Sequence, residues 1–208
     1  MGLDTILFSE EYLGKRFPDT DSSAYLLLTV DGNSAQQVEE DSLLLAEEVV
    51  RLGALDAFLV DTEERKDSVW TARGAFLEAL KGMGELDEVD VVVPPNQVAT
   101  FIEFTEELRH KYNLPILSFG HAGDGNLHIY LLRNEMEREA WLGLTREAMV
   151  EIYAKAKELQ GLVSGEHGIG FAKKPYLEQS LSDTALELMR EIKLVFDPHQ
   201  LLNPGKVC

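Results

Sequence analysis

The chain has 208 residues, 45% of them hydrophobic, and carries 19 basic against 37 acidic side chains for a formal net charge of −18. That length and apolar content suit one sizeable domain or two small ones and exclude bulk disorder. The negative field disfavours nucleic acid and anionic lipid surfaces as partners, because phosphate recognition needs clustered Lys and Arg.

A single cysteine, Cys208, excludes an internal disulfide framework and a thiolate metal cluster. Neither a basic, apolar leader nor a transmembrane segment is visible, and the expected location is the cytoplasm. Leu3–Leu13 reads as a short helix, followed by a polar linker through Phe17–Ser23, so that residues 1–23 precede a main domain over 24–208. Ala24–Val30 is a compact apolar run ended by Asp31-Gly32-Asn33, which predicts a strand and a turn. Ser34 resembles an N-cap, and Val38, Leu44, Leu45, Val49 and Leu52 give Ala35–Leu52 helical spacing, with Gly53 as terminator. Ala57–Val60 predicts a second strand, and Thr62 caps a helix from Glu63 to about Lys81, stopped by Gly82 and Gly84.

The second half opens with Val89–Val93, a predicted strand closed by Pro94-Pro95, after which Asn96 starts a helix to about Lys111. A hairpin is expected over Leu114–Leu132, then a long helix from about Met136 to Leu159, stopped by Gly161. Phe171–Pro175 is a polar stretch, and a last helix runs from Ser182 to Val195, ended by Phe196-Asp197-Pro198-His199. The order β-α-β-α, then β-α-β-β-α, matches two degenerate copies of the ferredoxin-like β-α-β-β-α-β unit. The expected fold is α+β: a mostly antiparallel sheet with helices packed on it and a C-terminal helical segment. A doubly wound dinucleotide domain is excluded, since the glycine strings at Gly120 and Gly165 lack the strand–turn–helix setting and the downstream acidic partner.

Two loops carry the chemistry. In Gly120-His121-Ala122-Gly123-Asp124-Gly125-Asn126-Leu127-His128, two histidines bracket a tight polar turn, and apolar segments enter and leave it. On the two strands of a hairpin, His121 and His128 would be cross-strand neighbours, close enough to share one ion. Glu166, in Gly165-Glu166-His167-Gly168-Ile169-Gly170, would complete two imidazoles and a carboxylate with open positions, a set suited to a catalytic divalent metal. His167 and His199 are further candidates, Asp124 and Asn126 read as turn formers, and His110 reads as an ordinary surface residue.

Together with Leu202-Asn203-Pro204-Gly205-Lys206, these two motifs resemble three motifs of the C-terminal domain of FAD-linked oxidases, in their order and over essentially the whole chain. Within that group the chain is similar to the glycolate oxidase FAD subunit and the D-lactate and D-2-hydroxyglutarate dehydrogenases. The resemblance implies oxidation of a small 2-hydroxy acid to the 2-oxo acid by hydride transfer to flavin, with FAD bound mainly by an N-terminal flavin-binding domain that has no counterpart here. It implies that His121, His128 and Glu166 hold a divalent metal, Zn²⁺ or Fe²⁺ foremost, and that His167 is the active-site histidine beside substrate and flavin. It further implies that Arg73, in Trp70-Thr71-Ala72-Arg73, grips the substrate carboxylate, and that Asn203 and Lys206 lie near the flavin. The partners it implies are the flavin-binding domain or subunit and an electron-transfer flavoprotein or iron–sulfur subunit.

Relatives that take a dicarboxylate have a lysine where this chain has Glu88, and a polar asparagine at Tyr130. Many glycolate- and lactate-type members have an arginine at Pro95. These differences favour a small monocarboxylate such as lactate or glycolate. Two other functions use the same residues: a metal-dependent hydrolase, and a non-catalytic module that binds a metal or small ligand.

Overall fold

The computed structural model describes residues 1–17 and 22–207, and the chain divides into two units, Met1–Gly82 and Met83–Cys208. Residues 18–21 of the expected linker, and Cys208, lie outside the described residues.

The first unit holds helices α1 (Leu3–Leu13), α2 (Ala35–Arg51) and α3 (Glu63–Gly82), and α1 packs on α3. Ser34 caps α2 as its sequence predicts, its hydroxyl accepting from the Gln37 amide at 3.2 Å. The strands expected at Ala24–Val30 and Ala57–Val60 are not formed, beyond an isolated bridge between Gly2 and Ala24. Leu26 and Phe58 are 71% and 58% exposed. Apolar, strand-favouring residues supply propensity, but a ladder needs a second backbone to take its N–H and C=O groups. Among the described residues, the first run finds only the Met1–Gly2 backbone, at Ala24 and Tyr25, and no ladder extends from there.

In the second unit, β1 (Leu86–Val92) leads through a short 3₁₀ turn to α4 (Val98–Tyr112), β2 (Ile116–His121), β3 (Asn126–Leu132) and α5 (Arg138–Glu158). The three strands form one antiparallel sheet in the order β1-β3-β2. This is the expected ferredoxin-like unit, with its fourth strand reduced to a bridge at Leu162, whose amide donates to the Val92 carbonyl at 2.8 Å. The α+β class, with helices packed on an antiparallel sheet, is the one expected. Two helices follow, α6 (Lys174–Ser180) and α7 (Asp183–Phe196). The polar Phe171–Pro175 stretch concealed α6: it is seven residues long, carries Pro175 in its first turn, and is held by buried Leu177 and by Tyr176, which stacks on Tyr153 at 4.2 Å.

Alternation along β1 and β3 separates core from chemistry. Val89, Val91, Ile129 and Leu131 pack with Phe101 and Leu108 of α4 and Trp141 and Ile152 of α5, all fully or almost fully buried. Among the described residues, no helix is long and apolar enough to cross a membrane. Phe101 is wholly buried in this cluster, so Phe101→Ala should lower stability by about 3–5 kcal/mol. Urea denaturation of the full chain would register this as a lower midpoint at an unchanged slope.

Candidate metal centre and its surroundings

The sheet face opposite the helices carries the polar groups. Across β1 and β3, Asp90 stands opposite His128 and Glu88 opposite Tyr130; across β2 and β3, Phe119 stands opposite His128 and His121 opposite Asn126. His121 and His128 are therefore diagonal on one face rather than directly paired. Their rings still meet edge-on, with centroids 5.9 Å apart. The turn between them is closed by the Gly125 amide donating to the His121 carbonyl at 2.9 Å, and Asp124 accepts from the Asn126 amide at 3.0 Å, the turn-forming role expected of it. Gly125 takes φ +80°, and a Cβ there would run into the Val93 carbonyl.

Glu166 and His167 arrive on the glycine turn after Leu162, and Asp90 holds that turn. The Asp90 carboxylate is fully buried and accepts from the Ser164 hydroxyl at 2.7 Å, the His167 amide at 2.9 Å, the Gly165 and Glu166 amides at 3.3 Å, and the Lys173 ammonium at 3.3 Å. Burial pushes its pKa up, but the Ser164 and His167 hydrogen bonds and the Lys173 charge outweigh that and hold it at about 2. Gly165 packs so closely on the Asn126 side chain that a Cβ would collide with the amide oxygen.

The three expected ligand atoms come together. Glu166 Oε1 lies 3.1 Å from His128 Nε2 and 3.8 Å from His121 Nε2, and all three lie within 4.8 Å of one another. Ligand atoms around a four-coordinate ion with bonds of about 2.1 Å stand roughly 3.4 Å apart, so the set fits a divalent metal. The far nitrogen fits as well. His128 Nδ1 is buried without a hydrogen-bond partner and faces Glu88 Oε1 at 3.7 Å and Asp90 Oδ1 at 3.8 Å, the carboxylate backing that ligating histidines use. Burial and the neighbouring His167 lower the His128 pKa, while Asp90, Glu166 and Glu88 oppose the shift; the net direction favours the neutral imidazole a metal needs.

His167 stacks on His128 at 4.7 Å, with Nδ1 2.9 Å from Glu88 Oε1 and Nε2 3.6 Å from Glu166 Oε1. The Tyr130 hydroxyl donates to the same Glu88 oxygen at 3.2 Å, and its ring stacks on Phe119 at 5.0 Å. Burial and the Glu88 charge push the Tyr130 pKa up, so the phenol stays a donor. Glu88, His128 and His167 form a second grouping of ligand-type atoms within 4.8 Å.

The remaining expected residues are spread more widely. Arg73 is exposed on α3 of the first unit, between the buried Ala72 and Ala75. In the terminal motif Lys206 Nζ donates to Asn203 Oδ1 at 3.3 Å, and the Val207 amide donates to the Gly170 carbonyl at 2.8 Å, tying that motif to the end of the Glu166 loop. His199 and His110 are exposed, and neither grouping includes them. Sequence reasoning missed Asp90, Lys173 and the coupling of Glu88 to His167. For Asp90 the signal was present: an acidic residue amid Val89, Val91, Val92 and Val93 is a buried carboxylate in need of donors.

A family model for the C-terminal domain of FAD-linked oxidases matches residues 1–207. The chain is 44% identical to a D-lactate dehydrogenase of Anaerostipes hadrus, over 100% of this chain and 45% of that protein. It is 35% identical to the glycolate oxidase subunit GlcD of Bacillus subtilis (strain 168), over 98% of this chain and 43% of the relative. It is also 30% identical to a D-2-hydroxyglutarate dehydrogenase of Stutzerimonas stutzeri, over 91% and 41%. The chain thus spans less than half the length of these relatives.

Removing the Asp90 carboxylate strands the Lys173 ammonium, 14% exposed, and the turn amides. Asp90→Ala should cost about 3–5 kcal/mol, as loss of one partner of a buried pair does. A urea titration beside the partly exposed Glu88→Ala, expected to lose far less, checks this.

Proposed function

The chain belongs to the C-terminal domains of FAD-linked oxidases, and on that premise we propose that it forms the substrate- and metal-binding part of a FAD-dependent 2-hydroxy-acid dehydrogenase acting on a small monocarboxylate such as lactate or glycolate. The observation that carries this reading is the convergence of His121, His128 and Glu166 on one point with His167 beside it. A divalent ion held by those three ligands, Zn²⁺ or Fe²⁺ foremost, would polarise the hydroxyl and carboxylate oxygens of the acid, and a flavin bound by the partner domain would accept the Cα hydrogen as hydride.

The chain's own residues supply the rest. His167 Nε2 is turned toward the ligand cluster and takes the substrate's hydroxyl proton. Arg73 grips the substrate carboxylate through two parallel hydrogen bonds, a role carried by its Trp70–Arg73 motif. Asn203 and Lys206 face the flavin, and the tie between Val207 and Gly170 joins their segment to the His167 loop. Glu88 brings negative charge to this sheet face where dicarboxylate-using relatives have a lysine, which opposes a second carboxylate on the substrate and supports a monocarboxylate. The names of the relatives, D-lactate dehydrogenase and glycolate oxidase subunit, support the same substrate class. The partners in this reading are the flavin-binding domain or subunit and, downstream, an electron-transfer flavoprotein or iron–sulfur subunit.

Elemental analysis of untagged protein purified without chelator should find about one divalent ion per chain, absent from a His121→Ala, His128→Ala double variant. Supplied with its flavin-binding partner and a dye acceptor, the chain should reduce dye with D-lactate or glycolate, and the double variant should not. Ester or amide hydrolysis without an acceptor would overturn the reading, as would metal retained in the double variant.

A further inference from the structure

We infer that Glu88 is a positioning residue for His167: it fixes the imidazole with its proton on Nδ1, so that the bare Nε2 is the atom presented to the substrate hydroxyl. The inference rests on the function proposed above.

Glu88 Oε1 is 2.9 Å from His167 Nδ1, and because a carboxylate can only accept, a hydrogen bond across that contact would need the proton on Nδ1. The other nitrogen, Nε2, then carries the lone pair and points toward Glu166 and the ligand cluster, 3.6 Å from Glu166 Oε1. Glu88 is itself held. The Tyr130 hydroxyl, fixed by burial and by stacking on Phe119, donates to the same oxygen at 3.2 Å. The ring has its plane set as well, stacked on the buried His128 at 4.7 Å with an interplanar angle of 11°. Orientation, tautomer and plane are thus set by three neighbours on one sheet face, an order of parts that serves a general base whose carboxylate partner never takes the proton.

In the step this serves, His167 Nε2 would receive the hydroxyl proton while a flavin held by the partner domain would take the Cα hydrogen with its electron pair as hydride, leaving a carbonyl. The positive charge that arrives on the imidazole lies beside the Glu88 carboxylate, which offsets it. Glu88 touches neither substrate nor flavin in this role; it acts through the ring.

Two arms test this. In the first, ¹⁵N spectra of the histidine rings of the full chain, with His167 assigned from His167→Gln, report which nitrogen bears the proton. The wild type should carry it on Nδ1, and Glu88→Ala should lose that preference; an unchanged tautomer overturns the inference. In the second, the chain is paired with its flavin-binding partner and assayed with D-lactate. Glu88→Gln should lower kcat by about 10²–10⁴-fold, with KM within about threefold of wild type, and Glu88→Asp should recover at least about tenfold of the loss. A change confined to KM would make Glu88 a substrate-selecting residue, and loss of bound metal in Glu88→Gln would make it a ligand in the second grouping; either overturns the inference. If the wild-type pair oxidises no 2-hydroxy acid, the proposed function fails while the spectroscopic arm still decides the role of Glu88.

Discussion

A single buried carboxylate, that of Asp90, holds the loop that carries Glu166 and His167. Its donors come from far along the chain: Ser164, the amides of Gly165, Glu166 and His167, and Lys173 lie 74 to 83 residues away. The loop that bears Glu166 and His167 has little of its own to hold it, since both side chains are exposed and glycines flank them. A fully buried carboxylate without donors would be untenable in a valine-rich strand. The requirement that Asp90 be satisfied therefore does what apolar packing cannot: it ties the backbone of Glu166 and His167 to the sheet.

That role is open to Asp90 because of the period of two along a strand. On β1 Val89 and Val91 face the helices while Glu88 and Asp90 face the other way; on β3 Ile129 and Leu131 go one way, His128 and Tyr130 the other. A one-residue slip would bury Glu88 and Asp90 in the core and turn the valines toward the loop. The same apolar contacts that stabilise the sheet thus enforce the register of the site. β3 is buried on both faces, so its polar residues had to be types that find partners there. Tyr130 finds Glu88, and His128 lies between Glu166 on one side and Glu88 with Asp90 on the other.

Much of this could be read from residues, and the exceptions have physical causes. The hairpin and its histidines were legible because a glycine-rich turn between two apolar runs is a local signal, and Glu166 because its loop has the same character. The diagonal relation of His121 to His128 was not, since register depends on how many residues the turn consumes. Asp90 and Lys173 escaped notice because their partnership spans the chain and neither belongs to a motif. The expected strands at 24–30 and 57–60 erred the other way: their apolar residues declare a propensity, while pairing depends on a partner backbone that no local window contains. Arg73, Asn203 and Lys206 were named by resemblance alone, for nothing in a solvated helix or a terminal turn distinguishes a functional cation from an ordinary one.

The charges of the site sort into pairs, and the pairing isolates Glu166. Asp90 is matched by Lys173 and by amide donors. Glu88 is matched by the Tyr130 hydroxyl and by His167 Nδ1. Among the described residues, Glu166 meets only imidazole nitrogens, Nε2 of His128 at 3.1 Å, of His167 at 3.6 Å and of His121 at 3.8 Å. Two imidazole nitrogens and a carboxylate oxygen at these distances are a donor set that a divalent cation would accept. The His121 and His128 nitrogens and the Glu166 carboxylate thus converge on one point, which is where the proposed ion would sit.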